Sequence, residues 1–186
     1  MGSGIMNRKI SEKHVAYHEA GHVLAYYYLI GDVEATIIPE YDSEGYCIAL
    51  GRTKVSFSVQ PSSYEMAIST IAGPCAAAKY LHRSLAELLQ CEYDGDHREA
   101  LDLICDCHDR KNGLFTMEEI SRNVELDARA IISTRWNWVQ AIAQALLEKK
   151  TLTYGDFLRV IDPLPSLEFW QSSQMLQQMR EASGLC

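Results

Sequence analysis

The chain has 186 residues, of which 47% are hydrophobic and 23% are charged. A chain of this length can bury a core without disulfides or metal, and it is too apolar to be disordered. Lys and Arg number 17 against 25 Asp and Glu, and the net charge of −8 disfavours nucleic-acid binding. The apolar run at 23–30 is too short for the roughly 20 residues that span a bilayer. Because no secretory signal is recognisable, we expect a cytoplasmic protein with reduced cysteines.

The sequence predicts three segments. Residues 1–6 are expected to be a remnant of cloning and a disordered start, and residues 7–162 a single folded domain. Residues 163–186 are expected to form an amphipathic C-terminal tail. The apolar face of such a tail is expected to dock either on its own domain or on a second subunit. The second alternative would make the protein a homo-oligomer.

The first third of the domain is predicted to be a helix followed by strands. Ser11 is a candidate N-cap for a helix that continues to about Ile30. The β-branched segment Val33–Pro39 and the segment Tyr46–Leu50 predict a hairpin. The alternation of polar and apolar residues at Thr53–Val59 predicts a third strand.

The rest of the domain is predicted to be helical. Ser62 and Glu65 match a capping box at the start of a helix to about Leu81, which Pro74 is expected to kink or break. Further helices are predicted at 84–91, from 94 onward, after a second capping box at 116–119, and at 151–161. The apolar pattern after 116–119 fits one long helix or two. The predicted fold class is therefore mostly α with a small β-sheet near the N-terminus (α+β).

One short motif carries chemistry. His18-Glu19-Ala20-Gly21-His22 fits the pattern HExxH. Residues i and i+4 of a helix lie on one face, so the two imidazoles can bind one Zn²⁺. Glu19 is then placed to accept a proton from a zinc-activated water. The plainer alternative is a helix with two histidines and a salt-bridged glutamate. A catalytic zinc also needs a third protein ligand, which the motif does not supply.

Two other groups of potential ligands fit structural roles better. His14 lies about 12 Å from His22 along a helix axis, at 1.5 Å per residue, so the two cannot share one ion. We expect His14 either to make its hydrogen bonds at the protein surface or to hold a metal ligand in place through a contact outside the metal's own ligands. The cluster at 105–108, Cys-Asp-Cys-His, lacks the Cys-x2-Cys spacing and the second ligand pair that are usual for zinc.

Four stretches of the chain, in order, resemble the peptidase domain of the FtsH family, the AAA-linked zinc metalloproteases. They are Val15–His22, the strand Val33–Pro39, the Ala-rich segment from Ile71, and Ile142–Phe157. The resemblance covers about residues 14–160 and implies the fold, bound zinc and peptidase activity. The family's ATPase module and membrane helices are not recognisable here, so we expect an ATP-independent enzyme. The family's Gly-Gly-Arg-Ala-Ala-Glu stretch reads Ala-Gly-Pro-Cys-Ala-Ala at 72–77.

The resemblance also implies the third zinc ligand. The family takes it from an Asp that is followed four residues later by Ala, and Asp96 and Ala100 match that pattern. In the alternative interpretation Asp96 is only an N-cap, with Glu99 completing a capping box. Asp94 is a second candidate for that cap, and His97 is the reserve candidate for the ligand.

Two functions of different classes follow. The first is a zinc-dependent endopeptidase in which His18, His22 and Asp96 hold Zn²⁺ and Glu19 activates the water. Its substrates are expected to be peptides or unfolded chains. The sequence leaves open whether a separate ATPase delivers them. A candidate edge strand for adding an extended substrate consists of Tyr46, Cys47, Ile48, Ala49 and Leu50. The alternative function is a catalytically silent binding or regulatory module that retains the protease fold.

Overall fold

The computed structural model describes residues 11–30, 40–41, 47–49, 61–110 and 114–164. These residues contain seven helices: α1 (Glu12–Ile30), α2 (Ser63–Leu81), α3 (Leu85–Cys91), α4 (Asp94–Arg110), α5 (Met117–Thr134), α6 (Trp136–Lys149) and α7 (Tyr154–Ile161). None of them is long and apolar enough to cross a bilayer. Residues 1–6 and nearly all of the predicted tail lie outside the described residues.

Polar side chains fix the starts of several helices, as the sequence predicts. The hydroxyl of Ser11 accepts a hydrogen bond from the backbone N–H three residues later, at 3.2 Å. Ser62 and Glu65 form both hydrogen bonds of the predicted capping box at the start of α2. Thr116 and Glu119 do the same at the start of α5. Each cap satisfies N–H groups that have no partner within the first helical turn.

Helix α2 is the centre of the domain and continues through Pro74, so the predicted break does not occur there. A proline inside a helix removes one backbone hydrogen bond and costs about 3 kcal/mol or more. Every residue of α2 from 67 to 78 is buried, and this burial offsets the cost. The apolar pattern that follows Thr116 resolves into two helices rather than one. Arg135, with φ −119° and ψ 32°, separates α5 from α6.

The core lies between α2 and the helices around it. Helix α2 packs against α1, α4 and α5, and α1 also packs against α6. The α1–α2 crossing is close because position 21 carries no side chain. A Cβ atom at Gly21 would lie 2.8 Å from the Cβ of Ala76 and 2.9 Å from the carbonyl carbon of Ala72. The crossing brings the HExxH segment of α1 directly onto α2.

The predicted α+β class is wrong. The described core is built from helices alone, and each helix buries its apolar face against another helix. Strand pairing within the described residues is a single short ladder, in which Glu40–Tyr41 pairs antiparallel with Cys47–Ala49. Strands of two and three residues are too short to form a layer of the fold. The predicted strands Val33–Pro39 and Thr53–Val59 lie outside the described residues.

Candidate metal centre

Three predicted ligands converge in the structure. His18 and His22 lie one turn apart on α1, and Asp96 reaches them from the first turn of α4. The two Nε2 atoms are 2.9 Å apart. The carboxylate oxygens of Asp96 lie 3.5 Å from Nε2 of His18 and 3.8 Å from Nε2 of His22. Among the residues that the structure describes, this is the one group of three potential ligands whose donor atoms lie close together, all within 4.8 Å.

His22 is oriented by the backbone of α2. Its Nδ1 donates a hydrogen bond to the carbonyl oxygen of Ser69 at 2.8 Å. Because a carbonyl can only accept, Nδ1 carries the ring proton and Nε2 presents its lone pair to the cluster. Gly73, one turn further along α2, packs directly against this imidazole.

Asp96 is not an N-cap, because α4 already begins at Asp94 and position 96 lies inside the first helical turn. Both cap assignments made from the sequence, Asp96 and Asp94, are therefore wrong. Asp94 instead pairs with Arg98 on the exposed side of the helix. The carboxylate of Asp96 is left free of backbone capping and faces the two histidines.

Burial sets the charge state of the cluster. It lowers the pKa of His18 well below 6.5, and the nearby His22 and His14 lower it further. Burial also raises the pKa of Asp96 above its usual 3.8, while His22 opposes that shift. A neutral imidazole is the form that binds a metal, so His18 is held ready as a ligand at neutral pH. A dication among these groups would in turn stabilise the carboxylate form of Asp96.

Two residues beside the cluster have no role that the HExxH pattern assigns to them. Tyr93 stacks on His18, with ring centroids 4.1 Å apart and an angle of 14° between the planes. The phenolic oxygen of Tyr93 lies 2.5 Å from Nε2 of His14. Burial raises the pKa of Tyr93, and burial lowers the pKa of His14. The phenol and the imidazole of His14 thus share a hydrogen bond, whose direction is set by the tautomer of the ring. His14 is buried, so the surface position predicted as one alternative is wrong, and its role in supporting a ligand stays a prediction.

Glu19 lies next to His18 on α1 and is buried, with 3% of its surface exposed. Together with burial, its charge raises the pKa of Tyr93, so the carboxylate lies close to the ring that stacks on His18. The reserve ligand His97 does not join the group of three. In the cluster at 105–108, the Cys105 thiol is exposed and the Cys107 thiol is buried.

The candidate edge strand is described only in part. Cys47, Ile48 and Ala49 form a strand that pairs with Glu40–Tyr41. Tyr46 and Leu50 lie outside the described residues. A role for this segment in substrate binding stays a prediction.

Two comparisons with known proteins gave no match. No protein-family model matches the sequence. No curated protein matches it either. The resemblance to the FtsH peptidase domain therefore stays a prediction that rests on the residues quoted for it.

Proposed function

We propose that this chain is a zinc-dependent endopeptidase that resembles the FtsH peptidase domain and cleaves peptides or unfolded chains. The observation that carries the proposal is the convergence of His18, His22 and Asp96 in one buried cluster beside Glu19. Two imidazoles and one carboxylate form a common ligand set for catalytic zinc.

The spacing of the donor atoms supports zinc. Two ligand atoms bound tetrahedrally at 2.0–2.2 Å lie about 3.4 Å apart. The three observed separations of 2.9, 3.5 and 3.8 Å bracket that value. The hydrogen bond from Nδ1 of His22 to Ser69 directs the other ring nitrogen, Nε2, towards the metal position. With three protein ligands, a tetrahedral ion keeps its fourth position for water or substrate.

The chemistry divides between the ion and the chain. Zinc, when bound, lowers the pKa of water towards about 7 and polarises a carbonyl. Glu19 accepts the proton of the attacking water and passes it to the leaving amine, as a general base and then a general acid. Its place directly after His18 on α1 supports this role. General acid–base catalysis of this kind contributes about 10²–10⁴-fold to a rate.

Zinc content and hydrolysis together test the proposal. The wild-type protein should hold about one zinc per chain and should cleave unfolded casein. Glu19→Gln should retain zinc and lose activity by about 10²–10⁴-fold. Asp96→Ala should lose both tight zinc binding and activity. Asp102→Ala is the matched control, because it removes an exposed carboxylate from the same helix.

Two results would contradict the proposal. If the zinc-loaded wild type cleaves no faster than Glu19→Gln, the protein is not a peptidase. The result would then favour the alternative function, a catalytically silent binding module. Zinc retention that is equal in wild type and Asp96→Ala removes Asp96 as a ligand. A separate ATPase, a homo-oligomeric assembly and the cytoplasmic location stay predictions.

A further inference from the structure

The two histidines of the cluster are held in different ways. His22 is tied through Nδ1 to the carbonyl of Ser69 at 2.8 Å. Nδ1 of His18 is buried and has no hydrogen-bond partner among the described residues. A histidine that binds a metal usually has its second ring nitrogen fixed by a hydrogen bond, which sets the orientation of the ring. Another contact must therefore orient His18.

The ring of Tyr93 supplies that contact. It lies nearly parallel to the imidazole of His18, at 4.1 Å between centroids and 14° between planes. Tyr93 is 1% exposed, so its ring has no freedom to swing into solvent. The stack restricts rotation of His18 about its side-chain bonds without using either ring nitrogen.

Tyr93 is itself anchored to the metal-binding helix. Its hydroxyl contacts Nε2 of His14 at 2.5 Å, and the His14 ring meets the Tyr93 ring edge-on at 85°. His14 lies one turn before His18 on α1. The phenol thus touches two successive turns of one helix.

The position of Tyr93 in the chain links this contact to the third ligand. Tyr93 directly precedes α4, and its carbonyl accepts the backbone N–H of His97 at 3.0 Å. That hydrogen bond closes the turn from which Asp96 extends. One turn of backbone therefore presents both the Asp96 carboxylate and the ring that stacks on His18.

We propose that Tyr93, anchored by His14, is the positioning residue for the metal ligand His18. Its ring does for His18 what the Ser69 carbonyl does for His22. The proposal rests on the metal centre of the proposed function, and it assigns the effect to the aromatic face rather than to the hydroxyl alone.

Metal binding by the full chain tests the proposal without relying on activity. Zinc affinity is measured by competition with a chromophoric chelator, and ligand geometry by the visible spectrum of the Co²⁺ form. Tyr93→Leu should weaken zinc binding about 10–100-fold, the usual effect of losing an outer-shell partner, and should change the Co²⁺ spectrum. Tyr93→Phe keeps the ring, so it should restore most of the affinity and a wild-type spectrum.

Tyr80→Leu is the matched control. It removes the stack of Tyr17 on Tyr80, whose centroids are 4.0 Å apart, without touching the cluster. Its zinc affinity should equal that of wild type. Where Tyr93→Leu does not fold, proton NMR of the zinc-loaded wild type decides the matter, because ring protons of His18 should be shifted upfield by Tyr93.

The outcomes separate this inference from the proposed function. Wild-type affinity and spectrum in Tyr93→Leu, or unshifted His18 ring protons, overturn the positioning role alone. Zinc binding that depends on Tyr93 but gives no peptide hydrolysis supports the positioning role and overturns the peptidase. A wild type that binds neither Zn²⁺ nor Co²⁺ overturns both.

Discussion

Gly73 lies so close to His22 that a Cβ atom at position 73 would be 2.5 Å from Cε1 and 2.6 Å from Cδ2 of the imidazole. Both residues are buried on tightly packed helices, so neither backbone can move away cheaply. The missing side chain is what lets His22 reach the Ser69 carbonyl and the cluster at once.

We therefore expect Gly73→Ala to destabilise the protein. In an unconstrained helix interior this change stabilises by up to about 1 kcal/mol. Here the added methyl group should cost about 1–3 kcal/mol by overpacking, and it should weaken zinc binding by displacing His22. Thermal unfolding with and without zinc measures both effects. Gly155→Ala is the control, since a Cβ there would meet nothing closer than 3.9 Å. A Gly73→Ala protein that melts higher and retains zinc would contradict the prediction.

Tyr64 should stabilise the domain through a buried hydrogen bond. Its hydroxyl donates to the carboxylate of Asp127 at 2.9 Å, and it joins α2 to α5. Tyr64→Phe should lower the free energy of unfolding by about 1–3 kcal/mol, because a buried carboxylate loses a donor. Urea unfolding measures the change. Tyr27→Phe, which preserves a ring contact with Phe157, should change stability much less. Equal effects of the two substitutions would count against the assignment.

Cys75 should be chemically inert in the folded protein. Burial raises the pKa of its thiol to about 12, so almost no reactive thiolate forms at pH 8. Cys91 and Cys105 are exposed. Alkylation followed by peptide mass spectrometry should find these two labelled before Cys75, which should be labelled only after unfolding. Labelling of native Cys75 as fast as Cys91 would show that the site opens.

The metal-free protein should lose stability as the pH falls from 7.5 to 5.5. Burial holds the pKa values of His14 and His18 below 6.5 in the folded state, so below about 6.5 the unfolded chain binds more protons. These two histidines must then lower the free energy of unfolding as the pH decreases. The raised pKa of Asp96 acts in the opposite direction, because the folded state binds that proton more readily than the unfolded chain.

Chelator-treated protein unfolded by urea at several pH values tests this dependence. His14→Gln should reduce the slope, since it removes one group that resists protonation. A free energy of unfolding that is constant or rises towards pH 5.5 contradicts the prediction.

The sequence predicted the local parts of the site better than its surroundings. A spacing of four residues places His18 and His22 on one helix face wherever the helix forms, and the Ser11 cap sets where α1 begins. The helix start near Asp94 was predicted, but its cap was not, because several acidic residues there suit a cap equally well. Only the folded chain shows that Asp96 lies inside the turn and faces α1.

The supporting contacts were not predictable because they join distant parts of the chain. Tyr93 meets His14 across 79 positions, and the Ser69 carbonyl meets His22 across 47. Every residue has a backbone carbonyl, so the sequence does not mark the one that contacts His22. A single tyrosine is not part of a metal-binding motif, so Tyr93 was not marked either. The α+β prediction failed for a related reason. It inferred a sheet from local β-branched residues, whereas the described core is decided by how α1 and α2 pack.

The two glycines at the α1–α2 contact make room for different groups. A Cβ at Gly21 would meet the backbone and a methyl group of α2, whereas the atoms nearest to a Cβ at Gly73 belong to the imidazole of His22. If the proposed metal site is lost in a related sequence, a smaller residue at 22 would relax the constraint on position 73, while the packing of α1 on α2 would still require glycine at position 21. Related sequences that replace His22 and Gly73 together but keep Gly21 would thus retain the fold without the proposed metal site.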